Sequence, residues 1–149
     1  MTTRLDYFSA APSAMEILLQ QESYLNAQFK EDKTLLELIK LRVSQLNQCA
    51  YCIDMHSKDA LAYGERTERL LGLNAWRDGP FFSEVEQVAL EWSETLTKGE
   101  SIPDEQYQKA LSVFGESKLV DLTIAINAIN SWNRVVKAFK PKVGDHQPS

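Results

Sequence analysis

The chain is short of the residues that usually announce chemistry. Its 149 residues include two cysteines, two histidines and three tryptophans. Lys and Arg total 16 against 21 Asp and Glu, for a net charge of −5, and no basic run appears. That argues against nucleic acid or an anionic membrane as a partner. No apolar stretch approaches the roughly 18–20 residues of a membrane helix. The N-terminal MTTRLDYFSAAPSAMEILL lacks a basic stretch followed by an apolar one, so no export signal is expected and the cytoplasm is the expected compartment. Glycine and proline number only six and five, and no segment alternates at period two between turn residues. Phosphate-binding glycine loops and flavin or nicotinamide fingerprints are missing too.

What remains is helical periodicity almost throughout. Composition, 44% hydrophobic and 25% charged, suits a globular protein, and residues 1–149 read as a single domain without repeats or linkers. Ser13 can cap a first helix carrying Met15, Ile17, Leu18, Leu19, Leu25 and Phe29. Thr34 begins a second with a broad apolar face from Leu35 to Leu46. Asn47 is a break and N-cap, and a third helix runs from about Gln48 to Tyr63, with Gly64 behind it. A short helix follows at Glu65–Leu71. Asn74–Phe82 reads as an aromatic-rich loop. Ser83 and Glu86 form a capping box for the next helix, which stops near Gly99. Pro103 sits in the first turn of a helix to Phe114, and Gly115 separates it from a last helix, about Glu116–Phe139. The expected class is all-α, a bundle of about seven helices.

Both cysteines and one histidine fall in NQCAYCIDMH, residues Asn47 to His56. On a helix, Cys49, Cys52 and His56 share one face. With Asn47 as cap, Cys49 lies in the first turn, where free amides and the dipole favour a thiolate. Two cysteines at i and i+3 can also close a disulfide, the arrangement a reversible dithiol couple requires. Zinc is a rival reading, but it wants four ligands and only these three are close; His146, in a polar tail, is an unattractive fourth. Two buried cysteines beside a satisfied histidine is the plainest alternative. A thioredoxin fold would want strands around the pair. Tyr51, between the cysteines, and Glu37, on the preceding helix, weigh against the plain alternative.

The run ELIKLRVSQLNQCAYCIDMH, with its pattern Glu37-x11-Cys49-x-Tyr51-Cys52-x3-His56, resembles the alkylhydroperoxidase D-like family of the carboxymuconolactone decarboxylase superfamily. LTIAINAINSWNRV, Leu122 to Val135, is similar to the closing helix of a subgroup of small members. The resemblance implies an all-α fold assembling as trimers, or hexamers built from them. It implies a peroxidase or disulfide reductase in which Cys52 attacks the peroxide and becomes a sulfenic acid. Cys49 would be the resolving cysteine and proton donor, forming the disulfide with Cys52. Glu37 and His56 would form a proton relay, with Tyr51 as a support around it. In some relatives a lipoylated protein recharges the disulfide and a peroxiredoxin takes the electrons onward. No cofactor is expected; electrons would come from a protein or a small dithiol.

Helix-terminus physics favours Cys49 as the more acidic thiol, whereas the family roles favour Cys52, one turn from His56. Trp76, Phe81 and Phe82 are candidates for an apolar substrate mouth, with core or interface packing the preferred reading. Trp132, Asn130, Asn133 and Arg134 are candidates for packing against the site or a second subunit. Two other functions stay open: a redox-sensing or binding module without turnover, and a lyase acting on a cyclic lactone acid, which needs no dithiol.

Overall fold

The computed structural model describes residues 3–148. Among them are seven α-helices and one 3₁₀ segment, and no strand. In chain order these are α1 (Tyr7–Ala10), α2 (Pro12–Gln28), α3 (Lys33–Leu46), α4 (Ala50–Ala62), α5 (Thr67–Leu71), a 3₁₀ segment (Leu73–Asp78), α6 (Glu84–Thr97) and α7 (Asp104–Phe139). The expected all-α class holds. No helix among the described residues is long and apolar enough to cross a membrane.

α3 is the centre of the packing, in contact with α4, α6 and α7. Its sequence explains this position. Leu36, Leu38, Ile39, Leu41 and Val43 are all buried, and they point to more than one side of the helix. A helix apolar nearly all round must be covered nearly all round. One side joins Leu25 of α2 and Phe29 just behind it, Ala89 and Trp92 of α6, and Leu122, Ala125, Ile126 and Ile129 of α7 in the main core. The other, through Leu38 and Leu41, meets Leu73, Trp76, Phe82 and Leu90.

Several element boundaries differ from the sequence reading. α1 was not expected: Asp6 caps it, accepting from the amides of Phe8 and Ser9. Four residues are too few for a periodic signal. Ser13 does not cap α2; the helix begins at Pro12 after Ala11, using the preset φ of proline in place of a side-chain cap. Pro103 precedes α7 as its N-cap residue and is not in the first turn. The aromatic loop holds a 3₁₀ segment over its first half. The Ser83–Glu86 capping box is present as expected: Ser83 Oγ accepts from the Glu86 amide and Glu86 Oε1 accepts from the Ser83 amide. Gly115 breaks α7 with φ 76° and ψ 171°, a conformation nearly restricted to glycine. Gly64, with φ 98°, follows the end of α4 as expected.

Candidate active site at the start of helix α4

The turn between α3 and α4 builds the site. Asn47 ends α3, with its amide bonded to Val43 O, and Gln48 takes a left-handed φ of 53°. The Cys49 amide then donates to Ser44 O, closing the turn. α4 starts two residues later than the sequence suggests, and its N-cap is Cys49, not Asn47. The Asn47 side chain is committed elsewhere: its Nδ2 donates to Oδ1 of both Asn130 and Asn133 on α7, each at 2.9 Å. Asn133, fully buried, in turn donates to Ser44 Oγ. This polar tether fixes the turn against the last helix.

Cys49 and Cys52 are joined in a disulfide with their Cα atoms 5.3 Å apart. Across the first turn, the Cys52 amide donates to Cys49 Sγ at 3.4 Å. Cys49 therefore occupies the place of the usual N-cap oxygen, where an amide donor favours a thiolate once the pair is reduced. Both cysteines are buried, in a small apolar cluster with Val136 of α7 and Tyr51. As a disulfide, the sulfurs are not in the thiolate form that a metal requires.

His56 lies one turn beyond Cys52 on α4, and α3 packs along the same helix. Glu37 of α3 meets it there: His56 Nδ1 and Glu37 Oε2 are 2.8 Å apart, and both residues are buried. A carboxylate on one imidazole nitrogen fixes the tautomer and leaves the other nitrogen for proton transfer. Glu37, Tyr51, Cys52 and His56 line one cavity of about 350 Å³. Its lining mixes apolar residues, Phe8, Met55 and Trp132 among them, with polar ones.

Four polar residues of that cavity were not singled out from the sequence. Lys40, buried on α3, is bonded to Glu22 Oε2 at 2.8 Å, while Glu22 Oε1 has no hydrogen-bond partner. Asn26, from α2, lines the same cavity. Asp59, one turn beyond His56, was readable by its i+3 spacing. Ligand atoms of Glu37, His56 and Asp59 lie within 4.8 Å of one another. Both carboxylates in that set already have partners, since Asp59 Oδ1 is 2.7 Å from His146 Nε2. His146 thus belongs to the edge of this region through Asp59 and does not join the cysteines.

The aromatic candidates divide. Trp76 and Phe82 are core residues beside Leu38, Leu41 and Leu90 and do not line the dithiol cavities, and Phe81 is surface-exposed. Trp76 Nε1 also donates to Glu94 Oε1. Trp132 does line the cavity with Cys52, where its ring stacks on Phe8 at 6.3 Å between centroids. Asn130 and Asn133 belong to the Asn47 tether, and Arg134 is exposed.

The model of the carboxymuconolactone decarboxylase family matches residues 12–95, which include Glu37, both cysteines and His56. The uncharacterized protein YdfG of Bacillus subtilis is 44% identical over 137 residues, covering 91% of this chain and 92% of that one. A solved structure from Agrobacterium tumefaciens, of a protein of unknown function given as a candidate antioxidant defence protein AhpD, superposes with a TM-score of 0.91. It is 32% identical, across 97% of this chain and 100% of the other. An uncharacterized peroxidase-related protein from Silicibacter has the same fold, with a TM-score of 0.70 at 18% identity over 96% of this chain and 92% of its own.

Proposed function

The chain belongs to the carboxymuconolactone decarboxylase family, in its alkylhydroperoxidase D-like branch, and from that premise we propose that it is a thiol-dependent hydroperoxide reductase. The observation that carries the proposal is the Cys49–Cys52 disulfide next to a buried Glu37–His56 pair, with Cys52 and that pair on one cavity. A lactone lyase has no use for such a couple. The reduced Cys52 thiolate attacks the terminal peroxide oxygen and the O–O bond breaks. The departing alkoxide takes a proton from the Glu37–His56 pair, and Cys52 is left as a sulfenic acid. Cys49 then attacks the Cys52 sulfur, water leaves, and the disulfide forms. Tyr51, packed against the cluster of Cys49, Cys52 and Val136, serves as a support. Two electrons from an outside dithiol, small or carried on a lipoylated protein, with a peroxiredoxin as a neighbour in the relay, restore the thiols. The chemistry calls for no bound cofactor. We place the activity in the cytoplasm and in a trimer or hexamer of this chain.

The roles of the two cysteines are tested by mass spectrometry after a brief, substoichiometric peroxide pulse. Cys49→Ser is expected to trap sulfenic acid at Cys52. Oxidation of Cys49 in Cys52→Ser, with none at Cys52 in the other variant, would reverse the assignment. Stopped-flow peroxide consumption with dihydrolipoamide tests turnover itself: a protein that forms the disulfide once but never cycles is a sensor, not a reductase.

A further inference from the structure

Among the described residues, one buried side-chain polar atom has no hydrogen-bond partner: Oε1 of Glu22, a residue that lines the cavity of Cys52 and His56. Folded proteins rarely leave such an atom unsatisfied, because it gives up its hydrogen bond to water and gains nothing in return. The other oxygen, Oε2, accepts from Lys40 Nζ at 2.8 Å. Lys40 is buried too, and Glu22 is its one partner among the described residues. An ammonium has three N–H donors, so it has more to give. Register sets this pair level with the reacting sulfur. α3 and α4 run antiparallel away from the turn that the Cys49 amide closes on Ser44 O, and Glu37 meets His56 farther along. One turn from Glu37 towards that turn is Lys40, and one turn from His56 towards it is Cys52. Lys40 therefore stands to Cys52 as Glu37 stands to His56, and all four line the one cavity.

We propose that Lys40 and Glu22 are further catalytic residues, which hold the hydroperoxide group itself; the proposal rests on the peroxidase reading of this site. A hydroperoxide, R–O–O–H, carries a donor on its terminal oxygen and an acceptor on the inner oxygen next to R. Glu22 Oε1 accepts from the terminal O–H, and Lys40 Nζ donates to the inner oxygen. The R group lies among Phe8, Met55 and Trp132. The Cys52 thiolate attacks the terminal oxygen; an S–O bond forms, the O–O bond breaks, and its electron pair goes to the inner oxygen. The sulfur is oxidised by two electrons and the peroxide is reduced by the same two. The hydrogen stays on the terminal oxygen, now part of the Cys52 sulfenic acid. The inner oxygen leaves as an alkoxide whose charge grows against Lys40 Nζ until a proton from the Glu37–His56 pair neutralises it. The two buried pairs thus divide the work: Glu22 and Lys40 orient the O–O bond and meet the developing charge, while Glu37 and His56 deliver the proton.

The test separates the peroxide from the thiolate that attacks it. In the Cys49→Ser chain Cys52 is the one thiol, since the sequence has two cysteines. Its reaction with tert-butyl hydroperoxide, the sulfenic acid being captured by dimedone, and its reaction with iodoacetamide are timed by mass spectrometry at one pH. Both reagents consume the thiolate, but only the first has an O–O bond to break, so the ratio of the two rates cancels any change in thiolate fraction. Lys40→Met in this background is expected to lower that ratio by on the order of 10²-fold. Lys40→Arg, which keeps a cationic donor, should restore most of it, and Glu22→Gln should lower it by about tenfold. Should Lys40→Met fail to fold, the Glu22→Gln/Lys40→Met chain, which buries no unpaired charge, is read in its place and the same loss is expected. A ratio unchanged when Lys40 is replaced overturns the proposal, and that includes equal falls in both rates, which would assign Lys40 to the thiolate. If the Cys49→Ser chain reacts with iodoacetamide and not with the peroxide, the peroxidase reading falls and this proposal with it. A brisk peroxide reaction indifferent to Lys40 and Glu22 overturns this proposal alone.

Discussion

At the scale of single residues, the proposed chemistry falls to the Glu37–His56 pair, and Glu94 shows what an equally buried carboxylate does structurally. Glu37 faces one imidazole. We expect Glu37→Gln, which keeps the shape and loses the charge, to fold normally and to lower kcat/KM for peroxide by about 10²-fold or more. His56→Ala should do the same, and wild-type rates in both would remove the relay from the mechanism. Glu94, by contrast, is held by three groups: Trp76 Nε1, Arg77 and Arg42. Burial opposes its ionisation, but the hydrogen bonds from Arg77 and Trp76 and the charge of Arg42 outweigh it, so its pKa lies below 4.5. A depressed folded-state value means stability that is present above the unfolded pKa and lost as pH falls through the folded one. Glu94→Gln should therefore cost about 1–3 kcal/mol at pH 7. The gap to wild type should narrow in melts below pH 4.5; a gap constant from pH 7 to 3 would contradict the assignment.

At the scale of elements, the informative position is the α3–α4 turn. Asn47 has the composition of a cap and the function of a tether. The two roles separate experimentally, because aspartate caps a helix as well as asparagine does but cannot donate to Asn130 and Asn133. Asn47→Asp should be destabilised at least as much as Asn47→Ala, by about 1–3 kcal/mol; near-wild-type stability for Asn47→Asp would restore the capping role. α7 offers a second case. A Cβ at Gly115 would meet nothing within 4 Å, yet its φ of 76° disfavours any L side chain. Gly115→Ala should lower the melting temperature through backbone strain alone, about 1–3 kcal/mol, without altering the disulfide site. The helices other than the four-residue α1 were legible in sequence, as were the capping box and the break at Gly115. The turn was not, since Asn47, Gln48 and Cys49 could each end or begin a helix locally and only α7 selects among the choices.

For the whole molecule, Leu71, Ile17 and Val120 are 78%, 67% and 61% exposed, large apolar side chains turned outward. We expect light scattering to give the mass of a trimer or hexamer; a monomer at micromolar concentration would refute the assembly. The sequence by itself determined the all-α class and the grouping of the two cysteines with His56. Both follow from local spacing, which fixes which side chains share a helix face. It also named Glu37, though by resemblance, since nineteen positions separate it from His56 and no helical periodicity spans a turn between two helices. Tertiary structure decided the rest. It set Glu37 against His56, tied Asn47 to α7, buried Trp76 and Phe82 in the core and put Trp132 at the cavity instead. Each of these joins residues whose elements meet only when their apolar faces pack, and that meeting is a property of the folded chain rather than of any stretch of it.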